Sequence, residues 1–113
     1  LQQRFIAQAP AVFVVCANLN RSSSRYGTRG SSLYAIQDAA AATQNILLTA
    51  VDMGLGTVWI GAFDENKASE ILNLPSNVRP LAIIPIGMPS EEPAAPPKRN
   101  IDDFTHFEKF GQH

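Results

Sequence analysis

Apolar residues fall into blocks along this chain, and their spacing predicts its elements. Residues 1–8 read as helix, stopped by Pro10. Ala11–Ala17 is an unbroken β-favouring run (AVFVVCA) bounded by Pro10 and Asn18. Its lack of alternation predicts a central strand with both faces buried. Asn18–Ser32 is polar, with five serines and two glycines, and reads as a long, mobile loop. Ser31 or Ser32 is placed to cap the next helix.

Leu33–Met53 is apolar apart from Gln37/Asp38, Gln44/Asn45 and Asp52, which recur every seven positions as one narrow stripe. A helix apolar around most of its circumference must be buried on most sides. A 113-residue chain cannot easily surround it, so a second subunit is the expected cover. The small residues Ala39–Ala42 would let another helix approach closely. A core helix inside one larger domain is the alternative.

Gly54 stands where a helix-ending glycine should. Thr57–Ile60 reads as a short buried strand. Gly61 and Ala62 then leave the backbone bare, where a flat ligand could lie. The alternative is a plain buried strand and turn, with Gly61 needed for positive φ. Asp64 caps a helix over Glu65–Leu72, Lys67 lies on its polar face, and Leu74-Pro75 ends it. Val78–Ile86 reads as a second buried strand, with Pro80 and Pro85 constraining its two ends. Past Gly87, prolines 89, 93, 96 and 97 predict an extended arm over 88–113. It carries Ile101, Phe104, Phe107 and Phe110, which need a surface to bury them, on this subunit or a partner.

Composition narrows the function classes. Hydrophobic residues make up 45% and charged residues 17%, which suits a folded single domain over 1–113. The net charge of −1 gives no electrostatic case for nucleic acid or an anionic membrane. No apolar run is long enough to span a bilayer without polar interruption. A single cysteine, Cys16, excludes an internal disulfide and fits a reducing, cytoplasmic setting. Its apolar surroundings predict a buried, inert thiol. His106 and His113 offer no metal spacing, serines 22–24 lack a His-Asp framework, and Gly54-Leu-Gly is no P-loop. Arg21, Arg25 and Arg29 are placed to grip a phosphate, or simply form a solvated loop. Position 1 is Leu, and the opening octapeptide resembles the tail of a helix, so the chain is expected to begin inside something larger.

In order and spacing, Tyr34–Leu48 (YAIQDAAAATQNILL), Gly54–Gly61 (GLGTVWIG), Leu72–Pro75 (LNLP), Pro85–Pro89 (PIGMP) and Pro97–Arg99 (PKR) resemble the nitroreductase family of FMN-dependent oxidoreductases. The resemblance implies an α+β fold. Its mixed, mainly antiparallel sheet is flanked by helices, with a long dimer-interface helix and an extended C-terminal arm. It also implies a homodimer with shared flavin sites. Hydride would pass from NAD(P)H through FMN to a nitroaromatic, quinone or similar small acceptor, and no catalytic side chain is obligatory. By the same resemblance Trp59, Ile60, Gly61 and Ala62 run beside the flavin ring, with a backbone N–H of Gly61 or Ala62 near N5 and O4. Lys98 and Arg99 match residues that hold the FMN phosphate. The family's Arg/Ser-rich segment for the phosphate and ribityl chain has no counterpart in the 113 residues. The remainder of the site is therefore expected ahead of Leu1 and on a second subunit. A flavin-binding or flavin-consuming member without this redox activity, or an inactive fragment, are the alternative readings.

Overall fold

The structure is a computed structural model that describes residues 4–113. It is an α+β fold: a small antiparallel sheet with a long helix packed on it. A 3₁₀ turn over Arg4–Gln8 occupies part of the expected first helix. Residues 1–3 of that expected helix lie outside the described residues. Strand β1 (Ala11–Asn18) leads into α1 (Leu19–Arg29), a π-helical turn (Gly30–Tyr34) and α2 (Ala35–Asp52). Then follow β2 (Gly56–Thr57), α3 (Glu65–Ile71), β3 (Val78–Gly87) and the short α4 (Ile101–Phe104).

The sheet order is β1-β3-β2, and both pairings are antiparallel. Strand β1 is therefore an edge of the described sheet, not its centre. Ala11, Val12 and Phe13 are exposed, and only Ala17 is fully buried. The central place belongs to β3. Pro80, Ala82, Ile84 and Pro85 are buried, Ile84 completely. Its prolines are not confined to the ends. Pro80 sits inside the ladder opposite Cys16, and Pro85 opposite Val12. The pairing steps from Val15↔Ala82 to Cys16↔Pro80, so Leu81 is the extra residue of a bulge. A bulge next to Pro80 suits a residue with no N–H to donate to the ladder.

The expected loop at 18–32 is largely helix. Asn18 has extended backbone, and its Oδ1 accepts from the Arg21 N–H at 3.0 Å, an N-cap. The serines do not compete with the helix. Ser24 Oγ donates to the Arg21 carbonyl at 2.9 Å, and Ser23 Oγ to that of Asn20. Ser31 and Ser32 both donate to the Thr28 carbonyl, so neither caps α2. Gly27 interrupts α1 at φ 64°, ψ −148°, a backbone conformation almost restricted to glycine. The turn lets the chain fold back until Gly30 meets Ser22. A Cβ on Gly30 would stand 2.5 Å from the Ser22 carbonyl oxygen.

Helix α2 buries a single stripe, Ala35, Ala39, Thr43 and Ala50. Thr43 is admitted because its hydroxyl donates to the Ala39 carbonyl at 2.8 Å. Ala35 and Ala39 form a core cluster with Ala17, flanked by Val15, Leu19 and Leu81. The other faces of α2 stay open: Leu48, Val51 and Met53 are 58–70% exposed. The arm after Gly87 has no regular structure until α4. The radius of gyration is 17.4 Å, against about 13 Å for a compact chain of this length. Ile101, Phe104, Phe107 and Phe110 are all exposed, Phe110 at 92%.

Candidate functional site

The segment from Gly54 to Asp64 is held at both ends and tied to the sheet in between through Ile60. Its first anchor is the end of α2. Gly54, at φ +75°, donates to the Val51 carbonyl, and Leu55 N–H to that of Ala50 at 2.8 Å. These are the two bonds of a Schellman cap, which need a residue free to take positive φ. The chain then pairs for two residues, Gly56 with Gly87 and Thr57 with Ile86. Gly56 is packed against Pro89, 3.3 Å from where a Cβ would stand.

The expected strand over Thr57–Ile60 is reduced to β2 and one isolated bridge. Val58 and Trp59 leave the ladder and are partly exposed, Trp59 at 40%. Ile60 returns to it, exchanging both backbone bonds with Ile83 at 2.9 and 3.0 Å, and is buried. Gly61 and Ala62 follow on the surface. The φ of Gly61 is not positive, and a Cβ there would meet nothing within 4 Å. Neither backbone conformation nor crowding within the chain requires glycine at 61.

The second anchor is α3. Asp64 Oδ1 accepts from the Lys67 N–H at 3.1 Å, as its sequence position predicts. Glu65 then pairs with Arg79 of β3, Nε to Oε1 at 2.8 Å. This hydrogen bond pushes the Arg79 guanidinium pKa further up, against the opposing effect of slight burial. The pair is exposed on both sides, so its contribution is about 0–1 kcal/mol.

Lys98 and Arg99 lie in the exposed arm. The Arg99 guanidinium covers the Phe104 ring at 5.3 Å and reaches the Asp103 carbonyl at 3.4 Å. Asn100 caps α4 through a bond from the Asp102 N–H. These contacts of Arg99 stay within its own tail. Of the predicted site residues, Ile60 is bridged to the sheet, Trp59, Gly61 and Ala62 flank it on the surface, and Lys98 and Arg99 lie on the exposed arm.

Among the described residues, cavities flank the sheet on several sides. One, of about 510 Å³, lies between α1, β1 and α2. An apolar one of about 470 Å³ lies under Phe13, Ile46 and Met53. A third, of about 700 Å³, reaches Gly56–Val58 from the side of Phe5 and Pro89. None of these is lined by Trp59–Ala62 or by Lys98–Arg99. The first contains Arg21 and Arg25. Reading 18–32 as loop hid their shared helical face. Asn18 before Leu19, with arginines at 21 and 25, was the available signal. Arg29 turns elsewhere, donating from Nε to the Tyr34 hydroxyl at 3.1 Å.

Cys16 is half-buried and unpaired, and burial pushes its thiol pKa up from the ordinary value. That agrees with an unreactive thiol. Among the described residues no group of three or more His, Cys, Asp or Glu could hold a metal, and no helix is long and apolar enough to cross a membrane.

The sequence profile of the Nitroreductase family matches residues 1–88. A protein of Methanocaldococcus jannaschii named as a nitroreductase is 41% identical over 87 residues, covering 77% of this chain and 42% of its own. The oxygen-insensitive NADPH nitroreductase of Salmonella typhimurium is 31% identical over 115 residues, covering 96% of this chain and 48% of its own. Among solved structures, the hypothetical oxidoreductase YcnD of Bacillus subtilis superposes with a TM-score of 0.82 at 31% identity, over 95% of this chain and 48% of that one. The chain thus spans about half the length of the curated relatives it matches. With the profile match over most of its length and the shared fold, this chain belongs to the nitroreductase family.

Proposed function

We propose that this chain is part of an FMN-dependent oxidoreductase that passes hydride from NADH or NADPH through flavin to a quinone, nitroarene or similar small acceptor. The observation that carries the reading is Gly61: a glycine that its own chain does not require, on an anchored segment in a nitroreductase fold. Such a position fits the flat face of a ring lying against bare backbone. The chemistry the flavin supplies when bound is acceptance of hydride from the nicotinamide and delivery of electrons to the acceptor. The chain's own part is to bind and orient. The Ile60–Ile83 bridge holds the segment against the sheet. Trp59, Ile60, Gly61 and Ala62 form one wall, with backbone dipoles fixed in place before the ligand arrives. Lys98 and Arg99 supply charge-assisted bonds to the phosphate. No side chain is assigned an acid or base role.

In this reading the flavin site is shared by two copies of the chain. The open faces of α2 and the aromatic tail supply apolar surface for that pairing. Residues 1–113 act in this reading as one domain with 88–113 as its arm, in a cytoplasmic setting that keeps Cys16 reduced.

Steady-state consumption of NADH or NADPH by the FMN-loaded protein, with a quinone or nitroarene as acceptor, tests the proposal. Acceptor-dependent consumption that vanishes when FMN is stripped is the expected result. Protein that holds FMN but never oxidises either nucleotide would overturn it in favour of a flavin-binding or flavin-consuming role. Protein that cannot be loaded with FMN would leave an inactive fragment.

A further inference from the structure

The cavity between α1, β1 and α2 has a charge pattern that the proposed flavin chemistry does not use. Arg21 and Arg25 line it one helical turn apart, so their side chains share a face of α1. Asp38 is the one carboxylate in the lining, and it forms no ion pair with either arginine; among the described residues the one salt bridge is Arg79–Glu65. The lining is therefore net positive in a chain whose net charge is −1. Two unneutralised guanidinium groups over a low-dielectric wall concentrate positive potential and favour an anion. Asn18, Ser22 and Cys16 also line the cavity, and the rest of its lining is aliphatic or aromatic. Val15, Ala17, Ala35, Ala39 and Ala42 form its floor. Tyr26 stands at its edge, half exposed. It packs edge-on against Tyr34 with centroids 5.4 Å apart and has Arg25 over its ring at 5.5 Å. A fixed aromatic ring beside a small-residue floor offers a surface to a planar body, and the volume is in the range of small-molecule sites.

We propose that this cavity binds a small organic anion with a planar apolar body, of which an aryl carboxylate is the simplest case, through Arg21 and Arg25. The carboxylate lies between the two guanidinium groups, which can each donate to it in the bidentate manner. The ring rests on the alanine floor beside Tyr26. Arg29 takes no part, since its guanidinium is committed to Tyr34.

The test is a titration of ¹⁵N-labelled protein, with and without saturating FMN, using benzoate, benzamide and inorganic phosphate in turn. Benzoate is expected to shift the amide signals of Arg25 and Ala39 in both conditions. Benzamide, which lacks the charge, and phosphate, which lacks the ring, are each expected to bind at least about tenfold more weakly. The R21Q/R25Q variant is expected to lose benzoate binding by a similar factor at unchanged melting temperature, while R29Q keeps it. Equal binding of benzoate and benzamide would overturn the proposal without recourse to any variant, as would phosphate binding as tightly as benzoate. Benzoate shifts that map to Gly61 and disappear with FMN would also overturn it, because the anion would then occupy the flavin wall. Failure of FMN to bind at all would count against the proposed function and leave this site standing.

Discussion

Replacing Gly61 by valine separates the demands of the fold from those of the ligand. The φ of Gly61 is not positive, a Cβ there would meet nothing within 4 Å, and the residue is exposed, so the branch of the new side chain can turn to solvent. Stability is expected to change by less than about 0.5 kcal/mol, the usual range for surface positions. A flat ring lying on the bare backbone meets a branched side chain instead. Crowding of that kind costs about 1–3 kcal/mol, which corresponds to roughly 5- to 150-fold weaker FMN binding. Urea denaturation measures the first quantity, and FMN fluorescence titration of the stripped protein measures the second. Unchanged stability with weakened flavin binding is the expected pair of results. FMN binding equal to that of the parent protein would refute the assignment of Gly61 to the ring wall. A stability loss above about 1 kcal/mol would refute the argument that the fold leaves this position free.

Gly30→Ala is the opposite case. The added methyl would stand 2.5 Å from the Ser22 carbonyl oxygen, and a loss of about 1–3 kcal/mol in urea unfolding is expected; a loss under about 0.5 kcal/mol would contradict the close approach of α1 to the π-helical turn. Replacing both Lys98 and Arg99 by glutamine is expected to weaken FMN binding at least about tenfold, steeply dependent on salt, while riboflavin, which lacks the phosphate, binds both forms equally. Equal loss for the two flavins would assign the pair a structural role instead. The raised pKa of Cys16 means that folding favours the protonated thiol. Its contribution to stability is therefore complete below the unfolded-state pKa and is lost as pH rises through the folded-state value. A thiol reagent should react with the native protein more slowly than with urea-unfolded protein from neutral pH to pH 9, and equal rates would contradict the burial of Sγ.

Features with local causes were readable along the chain. Gly54 and Asp64 are examples: a Schellman cap and an N-cap are each decided within a few residues. Helix α2 was readable as a long helix, and among the described residues only its stripe Ala35, Ala39, Thr43 and Ala50 is buried. Features decided between elements were not readable. Pro80 reads as a strand-end residue, but a bulge in the β1–β3 register gives it a place in the central strand. Ala11–Ala17 is apolar enough for a centre and becomes an edge, because β3 takes the middle. The polar stretch 18–32 suggested a loop by composition. Its serine hydroxyls instead bond back to carbonyls three and four residues earlier and let the helix continue. At the candidate site, the sequence pointed to Trp59–Ala62 and to Lys98–Arg99 by family resemblance. The fold anchors the first group through Ile60 and the start of α3. How the arm that carries Lys98 and Arg99 sits relative to Trp59–Ala62 is a matter of tertiary placement, which no spacing along the sequence expresses.

The measurement that bears most directly on the proposed function is the visible spectrum of the FMN-loaded protein in an anaerobic cuvette. Addition of NADH or NADPH should bleach the flavin band, and subsequent addition of a quinone should restore it. A flavin band that both nucleotides leave unchanged would contradict the assignment of this chain to a hydride-transferring oxidoreductase.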